Sequence, residues 1–191
     1  MNIKKLIEQS VSDSIKAKSL FMESHAELIE SCARQVAARM EQGKKLLLFG
    51  NGGSAADSQH IAAEFVNRLQ MERRPLPAIA LTTDTSIITA IGNDYSYDDI
   101  FLKQVQALGN EGDIALGIST SGNSPNVINA VDEAKKRGLL TIGFSGEKGK
   151  LKRLCDFPFC VPSKVTMRIQ EVHILLAHLL CDITERLMFD E

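Results

Sequence analysis

Apolar positions recur every three to four residues through the first forty or so places of the chain. Leu6, Ile7, Val11 and Ile15 form one stripe and Leu28, Ile29, Cys32, Val36 and Met40 another, with Leu20 one place off the repeat. That period predicts helix, and the two stripes predict a leading helical pair that ends before Gly43. Leu46, Leu47, Leu48 and Phe49 then abolish the period. Four consecutive apolar residues suit a strand buried on both faces. Similar short runs follow at 78–81, 113–119, 139–144 and 157–161, and Pro158 puts the last at a sheet edge. Helical spacing returns between them: after Gly53, over 86–91 and 100–108, from Ser124-Pro125 to Gly138, at 150–154, and from Thr166 to Phe189. Strands alternating with helices predict an α/β fold whose mostly parallel sheet is covered on both sides. The leading helices have no crossover to make in such a sheet and are expected to pack against another subunit.

Ligands of such folds bind beyond the carboxyl ends of the strands, which selects the polar turns. Gly50, Asn51, Gly52 and Gly53 follow the first strand. Three glycines in four residues permit positive φ and close approach of a ligand to the backbone. Ser54 is expected to cap the next helix, with Asp57 completing a capping box. GNGGSA also fits G-x-G-x-x-A, so a dinucleotide-dependent dehydrogenase competes at this point. Against it, no strand ending in an acid stands about 20 residues on, where a ribose would be held. Arg68, Glu72, Arg73 and Arg74 occupy that region and read as a solvated loop. After the third strand, Ser119, Thr120, Ser121 and Ser124 gather hydroxyls at a helix start, with Ser124 as cap and Pro125 in the first turn. Unsatisfied N–H groups and the helix dipole favour a phosphate there. Gly92, Asn93 and Asp94 read as a third polar turn joining the other two.

Acid–base groups lie on the neighbouring helices. His60 and Glu64 are four residues apart and share a face. Gln170 and His178 are separated by about 80° around the last helix and can face one cleft. His173 has a different azimuth and reads as packing or surface; His25, among Glu23, Ser24 and Glu27, reads as surface. Two histidines and a carboxylate on amphipathic helices are more often structural than metal-binding.

Composition narrows the classes. The chain has 191 residues, 44% of them apolar, enough for one domain with a well-buried core. With 22 basic and 24 acidic residues, net charge −2, no basic stripe argues for nucleic acid. No run approaches the roughly 18 apolar residues of a membrane span. MNIKKLIEQS lacks the apolar core of a signal peptide, so a cytoplasmic setting is expected. Cys32, Cys155, Cys160 and Cys181 form no CxxC pair and read as reduced, mostly buried thiols.

Together, GNGGSAADSQHIAAEF, AIGNDYSYDD, GISTSGNS and TMRIQEVHILLAH resemble the phosphoheptose isomerases of the SIS (sugar isomerase) superfamily, and the resemblance spans nearly the whole chain. It implies a single SIS domain over 1–191: a three-layer α/β/α sandwich with a five-stranded parallel sheet, flavodoxin-like, with extra N-terminal helices over about 1–43. It also implies a homotetramer. The implied activity is aldose–ketose isomerisation of sedoheptulose 7-phosphate to D-glycero-D-manno-heptose 7-phosphate, the start of activated heptose supply for lipopolysaccharide core or other surface glycans. By the same resemblance Ser119, Thr120, Ser121 and Ser124 hold the phosphate, Asn51, Gly52 and Gly53 line the sugar, and Asn93 and Asp94 contact its hydroxyls. His60, Glu64, Gln170 and His178 match the positions binding one Zn2+ per subunit, and Glu64 and His178 those assigned to proton transfer. Met167 departs from members that carry an acid there. Replication-initiator-associating proteins and sugar-phosphate sensors of the same fold are the binding-protein alternatives.

Overall fold

The five apolar runs form one sheet. β1 (Leu46–Gly50), β2 (Ala78–Ala80), β3 (Ile114–Ser119), β4 (Leu140–Gly146) and β5 (Phe157–Val161) are all parallel, in the order β2-β1-β3-β4-β5. The computed structural model describes residues 1–190. The strand period of two divides β1 between two cores, with Leu46 and Leu48 in one and Leu47 and Phe49 in the other. α1 (Ile3–Glu41), α2 (Gly53–Val66) and α7 (Thr166–Phe189) cover the first face. α3 (Thr85–Asp94), α4 (Leu102–Leu108), α5 (Pro125–Lys136) and α6 (Leu151–Leu154) lie on the other. The result is a three-layer α/β/α sandwich. Pro158 lies in β5 at one edge, as expected. The chain changes direction of travel between β1 and β3. This is the switch point, outside which a crevice opens at the carboxyl ends of the strands.

Three local expectations are corrected. The leading pair is one helix of 39 residues. No glycine or proline interrupts 3–41, so nothing halts the helix where the apolar stripe shifts. The shift marks where the helix leaves the core instead. Phe21, Ile29, Cys32, Val36 and Met40 are buried, while Leu6, Ile7, Val11 and Ile15 are between 54 and 60% exposed. His25 sits at the boundary, half-buried, its ring stacked on Phe21 at 4.3 Å. Next, Gly92, Asn93 and Asp94 belong to the last turn of α3. Asp84 starts that helix by accepting from Ile87 N at 2.9 Å, and one internal glycine costs only about 1 kcal/mol. Finally, α2 is capped by Gly52 at φ 56°, not by Ser54. Ser54 lies inside the helix, buried, and its carbonyl accepts from Ser58 Oγ at 2.8 Å.

The connection after α2 holds a further correction. Arg73 is not solvated: its side chain is fully buried against Glu185 of α7, with Nε 2.8 Å from Oε1. Glu185 also accepts from the backbone N–H groups of Leu69, Gln70 and Met71. The Arg73 guanidinium donates onward to the carbonyls of Glu64 and Phe65, both at 2.9 Å. Burial alone would raise the Glu185 carboxyl, but the N–H groups of Gln70, Met71 and Leu69 and the charge of Arg73 bring it below the usual carboxylate range. Its ionisation therefore stabilises the fold above the ordinary carboxylate pKa, and that contribution is lost as acid protonates it. Removing one partner of a buried pair strands the other charge, at a cost of about 3–5 kcal/mol. Glu185→Ala is expected to lower the unfolding free energy, measured by urea titration at fixed protein concentration, by that amount. An unfolding free energy within about 0.5 kcal/mol of wild type, the range of ordinary surface changes, would show that the pair does not hold these helices together.

Candidate active site

α2 displays His60 and Glu64 one turn apart, and α7 brings His178 against them. His60 Nε2 lies 3.2 Å from Glu64 Oε1 and 3.1 Å from His178 Nε2. The nitrogen and oxygen atoms of all three lie within 4.8 Å of one another. His60 is exposed while Glu64 and His178 are half-buried, so the cluster opens to solvent on one side. Two imidazole nitrogens this close require either a proton on one of them or a cation between them. Two nitrogens and a carboxylate oxygen make a donor set that zinc accepts. A tetrahedral ion with bonds of about 2.1 Å would set its ligand atoms roughly 3.4 Å apart, close to the spacing seen. The residues present therefore fit a metal ion. Asp57, one turn before His60, is half-buried; burial pushes its carboxyl up, and His60 pulls it partly back.

Gln170 is half-buried on the first turns of α7, with its amide against the start of α2. A Cβ on Gly53 would overlap Gln170 Nε2, so the third glycine of the turn is what admits this side chain. Gly52 supplies the left-handed residue before it. His173, by contrast, is buried beside Phe144, with Nε2 3.3 Å from the Ser145 carbonyl. Burial, only partly offset by that bond, pushes its imidazole down to about 4. It is a neutral packing residue near pH 7.

The serine loop leaves β3 beside the glycine turn, because Gly50 pairs with Ile118 across the switch point. Ser119 Oγ lies 2.9 Å from Ser124 Oγ and 3.4 Å from Ser121 Oγ. Ser124 precedes Pro125 at the start of α5, as expected, although its hydroxyl engages Ser119 and not the helix. Thr120 and Ser121 line a cleft of about 350 Å³ together with Lys148, Lys164, Thr166 and Ile169. Four hydroxyls within one loop at a helix N-terminus give an anion several charge-free donors.

Asn93 and Asp94 do not line this cleft. They are exposed at the end of α3, where Asn93 Nδ2 donates to Asp94 Oδ1 at 2.8 Å. Asn51 lies in the glycine turn beside the serine loop, and here the structure adds two residues that the sequence did not single out. Asn126 of α5 pairs with its amide through two bonds of 2.9 Å, and Tyr97 OH donates to its Oδ1 at 3.2 Å. The only sequence signal was an asparagine just inside a helix start and a tyrosine in the segment after α3.

Comparison with known proteins agrees with this geometry. The sequence profile described as SIS domain matches residues 11–146. A phosphoheptose isomerase from Nitratidesulfovibrio vulgaris is 56% identical over 97% of this chain and 89% of its own. The solved structure of a phosphoheptose isomerase from Francisella tularensis superposes with a TM-score of 0.93 at 41% identity, covering 97% of this chain and all of that one. A phosphoheptose isomerase structure from Neisseria gonorrhoeae gives 0.91 at 43% identity, covering 96% of this chain and 99% of that one. The chain belongs to the SIS domain family and, within it, to the phosphoheptose isomerases.

Proposed function

We infer that this chain is an aldose–ketose isomerase that converts sedoheptulose 7-phosphate to D-glycero-D-manno-heptose 7-phosphate. The observation that carries the reading is the meeting of Glu64 and His178, from distant parts of the chain, in a chain similar over its whole length to phosphoheptose isomerases. A sugar-phosphate sensor or other binding protein of this fold has no need of an acid–base pair in its cleft.

The reaction removes a proton beside a carbonyl and returns it to the neighbouring carbon through an enediol(ate). It needs a base, an acid at oxygen, and a fixed position for the sugar phosphate. In this reading Ser119, Thr120, Ser121 and Ser124 hold the phosphate, and Asn51, Gly52 and Gly53 line the sugar. Glu64 and His178 exchange the protons. Glu64 has two carboxylate oxygens, of which Oε1 faces His60, so binding and proton transfer need not compete for one atom. His60, Glu64, Gln170 and His178 would hold one Zn2+ per subunit, which supplies Lewis acidity toward the sugar carbonyl when bound. Asn93 and Asp94 would contact the sugar's hydroxyls. The exposed stripe of Leu6, Ile7, Val11 and Ile15 supports a homotetramer built through α1. A cytoplasmic setting is supported by four free cysteines, three of them buried. No helix among the described residues is long and apolar enough to cross a membrane.

Two outcomes test the assignment of roles. Glu64→Gln keeps shape but removes the base, so turnover of sedoheptulose 7-phosphate should fall by about 10²–10⁴-fold with an unchanged far-ultraviolet dichroism spectrum. Undiminished turnover would remove Glu64 from the chemistry. Ser119→Ala with Ser124→Ala should act on binding instead, raising KM by about 10–100-fold with kcat little changed, because hydrogen bonds to a charged phosphate persist from ground state to transition state. An unchanged KM would move the phosphate elsewhere.

A further inference from the structure

The Asn51 side chain has a fixed polarity, and the chain of contacts that fixes it begins at a backbone amide. The N–H of Val127 can only donate, and it donates to Asn126 Oδ1 at 2.9 Å. That identifies the oxygen of the Asn126 amide. The same oxygen accepts from Asn51 Nδ2, and Asn126 Nδ2 donates to Asn51 Oδ1, both at 2.9 Å. Flipping either amide would set like atoms against each other or turn an Nδ2 group onto the Val127 N–H. Tyr97 OH then fills the second acceptor position of Asn51 Oδ1. A carboxamide oxygen accepts two bonds and the nitrogen donates two. With the oxygen saturated and one N–H committed to Asn126, a single N–H of Asn51 remains.

Asn126 is buried to 2% exposure, whereas Tyr97 is 58% exposed and Asn51 half-buried. The buried member therefore does not meet solvent or ligand; it acts through Asn51. Asn126 is the second residue of α5, directly behind the serine loop, and Asn51 belongs to the glycine turn after β1. The amide pair is thus a direct polar link between the two loops at the switch point.

We propose that Asn126 and Tyr97 are positioning residues that make Asn51 a donor-only contact for a sugar oxygen of the substrate. A ligand group that must itself donate, such as an ammonium or a hydroxyl already committed as acceptor, finds no partner at this position. The proposal deepens the isomerase reading and rests on it, since it takes the sugar to lie against the glycine turn.

The test is a double-mutant cycle on kcat/KM for sedoheptulose 7-phosphate using Asn51→Ala, Asn126→Ala and the pair. If Asn126 acts only through Asn51, each single change costs about tenfold and the double change no more than Asn51→Ala alone. Independent, multiplying losses would show a merely structural role for Asn126 and overturn the proposal. Tyr97→Phe removes one exposed hydroxyl without threatening the fold. It should lower kcat/KM about threefold in the wild-type background and not at all beside Asn51→Ala; a loss that persists beside Asn51→Ala contradicts the proposal. A wild-type protein inactive on this substrate would instead defeat the isomerase reading.

Discussion

The site depends on a buried ion pair outside it. Arg73 and Glu185, both without solvent exposure, join the end of α2 to the last turns of α7. Arg73 is bonded to the carbonyl of Glu64 itself, so the same guanidinium that neutralises Glu185 also holds the end of α2 that carries Glu64. His60 and Glu64 ride on one of these helices and Gln170 and His178 on the other. A slip of one helical turn, about 5.4 Å, would separate the His60 and His178 nitrogens that now stand 3.1 Å apart. Buried charges are costly unless fully paired. Here three backbone N–H groups and the guanidinium satisfy the carboxylate, which makes the registry of the two helices specific.

The sheet supplies the other half of the constraint. Its order places the ends of β1 and β3 side by side at the switch point. The glycine turn and the serine loop are neighbours for that reason, and the Asn51–Asn126 amide pair closes the gap between them. Gly53 then matters through what it lacks. Without a Cβ it leaves room for Gln170, which brings the α7 side of the site over the turn. Helix registry and sheet order thus meet at one short segment.

Much of this was legible from residue patterns. Runs such as LLLF and the alternation of strand and helix gave the α/β class, and Pro158 gave an edge. Ser124-Pro125 placed α5 correctly because the fixed φ of proline suits a first helical turn, a local preference that holds although the Ser124 hydroxyl does not cap the helix. What stayed hidden was decided by tertiary partners. The single long α1 looked like two helices because its apolar stripe leaves the core near Leu20 while its backbone stays helical. Arg73 looked solvated among Arg68, Glu72 and Arg74 because its partner, Glu185, lies far along the chain. His60 and Glu64 could be paired from their spacing, but their meeting with His178 has no local signature; only the resemblance of the four motifs brought them together. Asn126 was invisible for the same reason, since its partner belongs to another loop.

We propose that the His60, Glu64 and His178 cluster works as a metal-dependent isomerisation site. The most direct measurement is turnover of sedoheptulose 7-phosphate by protein stripped with a chelator and then titrated with zinc, with metal content followed by elemental analysis. Turnover is expected to disappear with the metal and to return at one zinc per chain. Full turnover by protein with no measurable metal would contradict it.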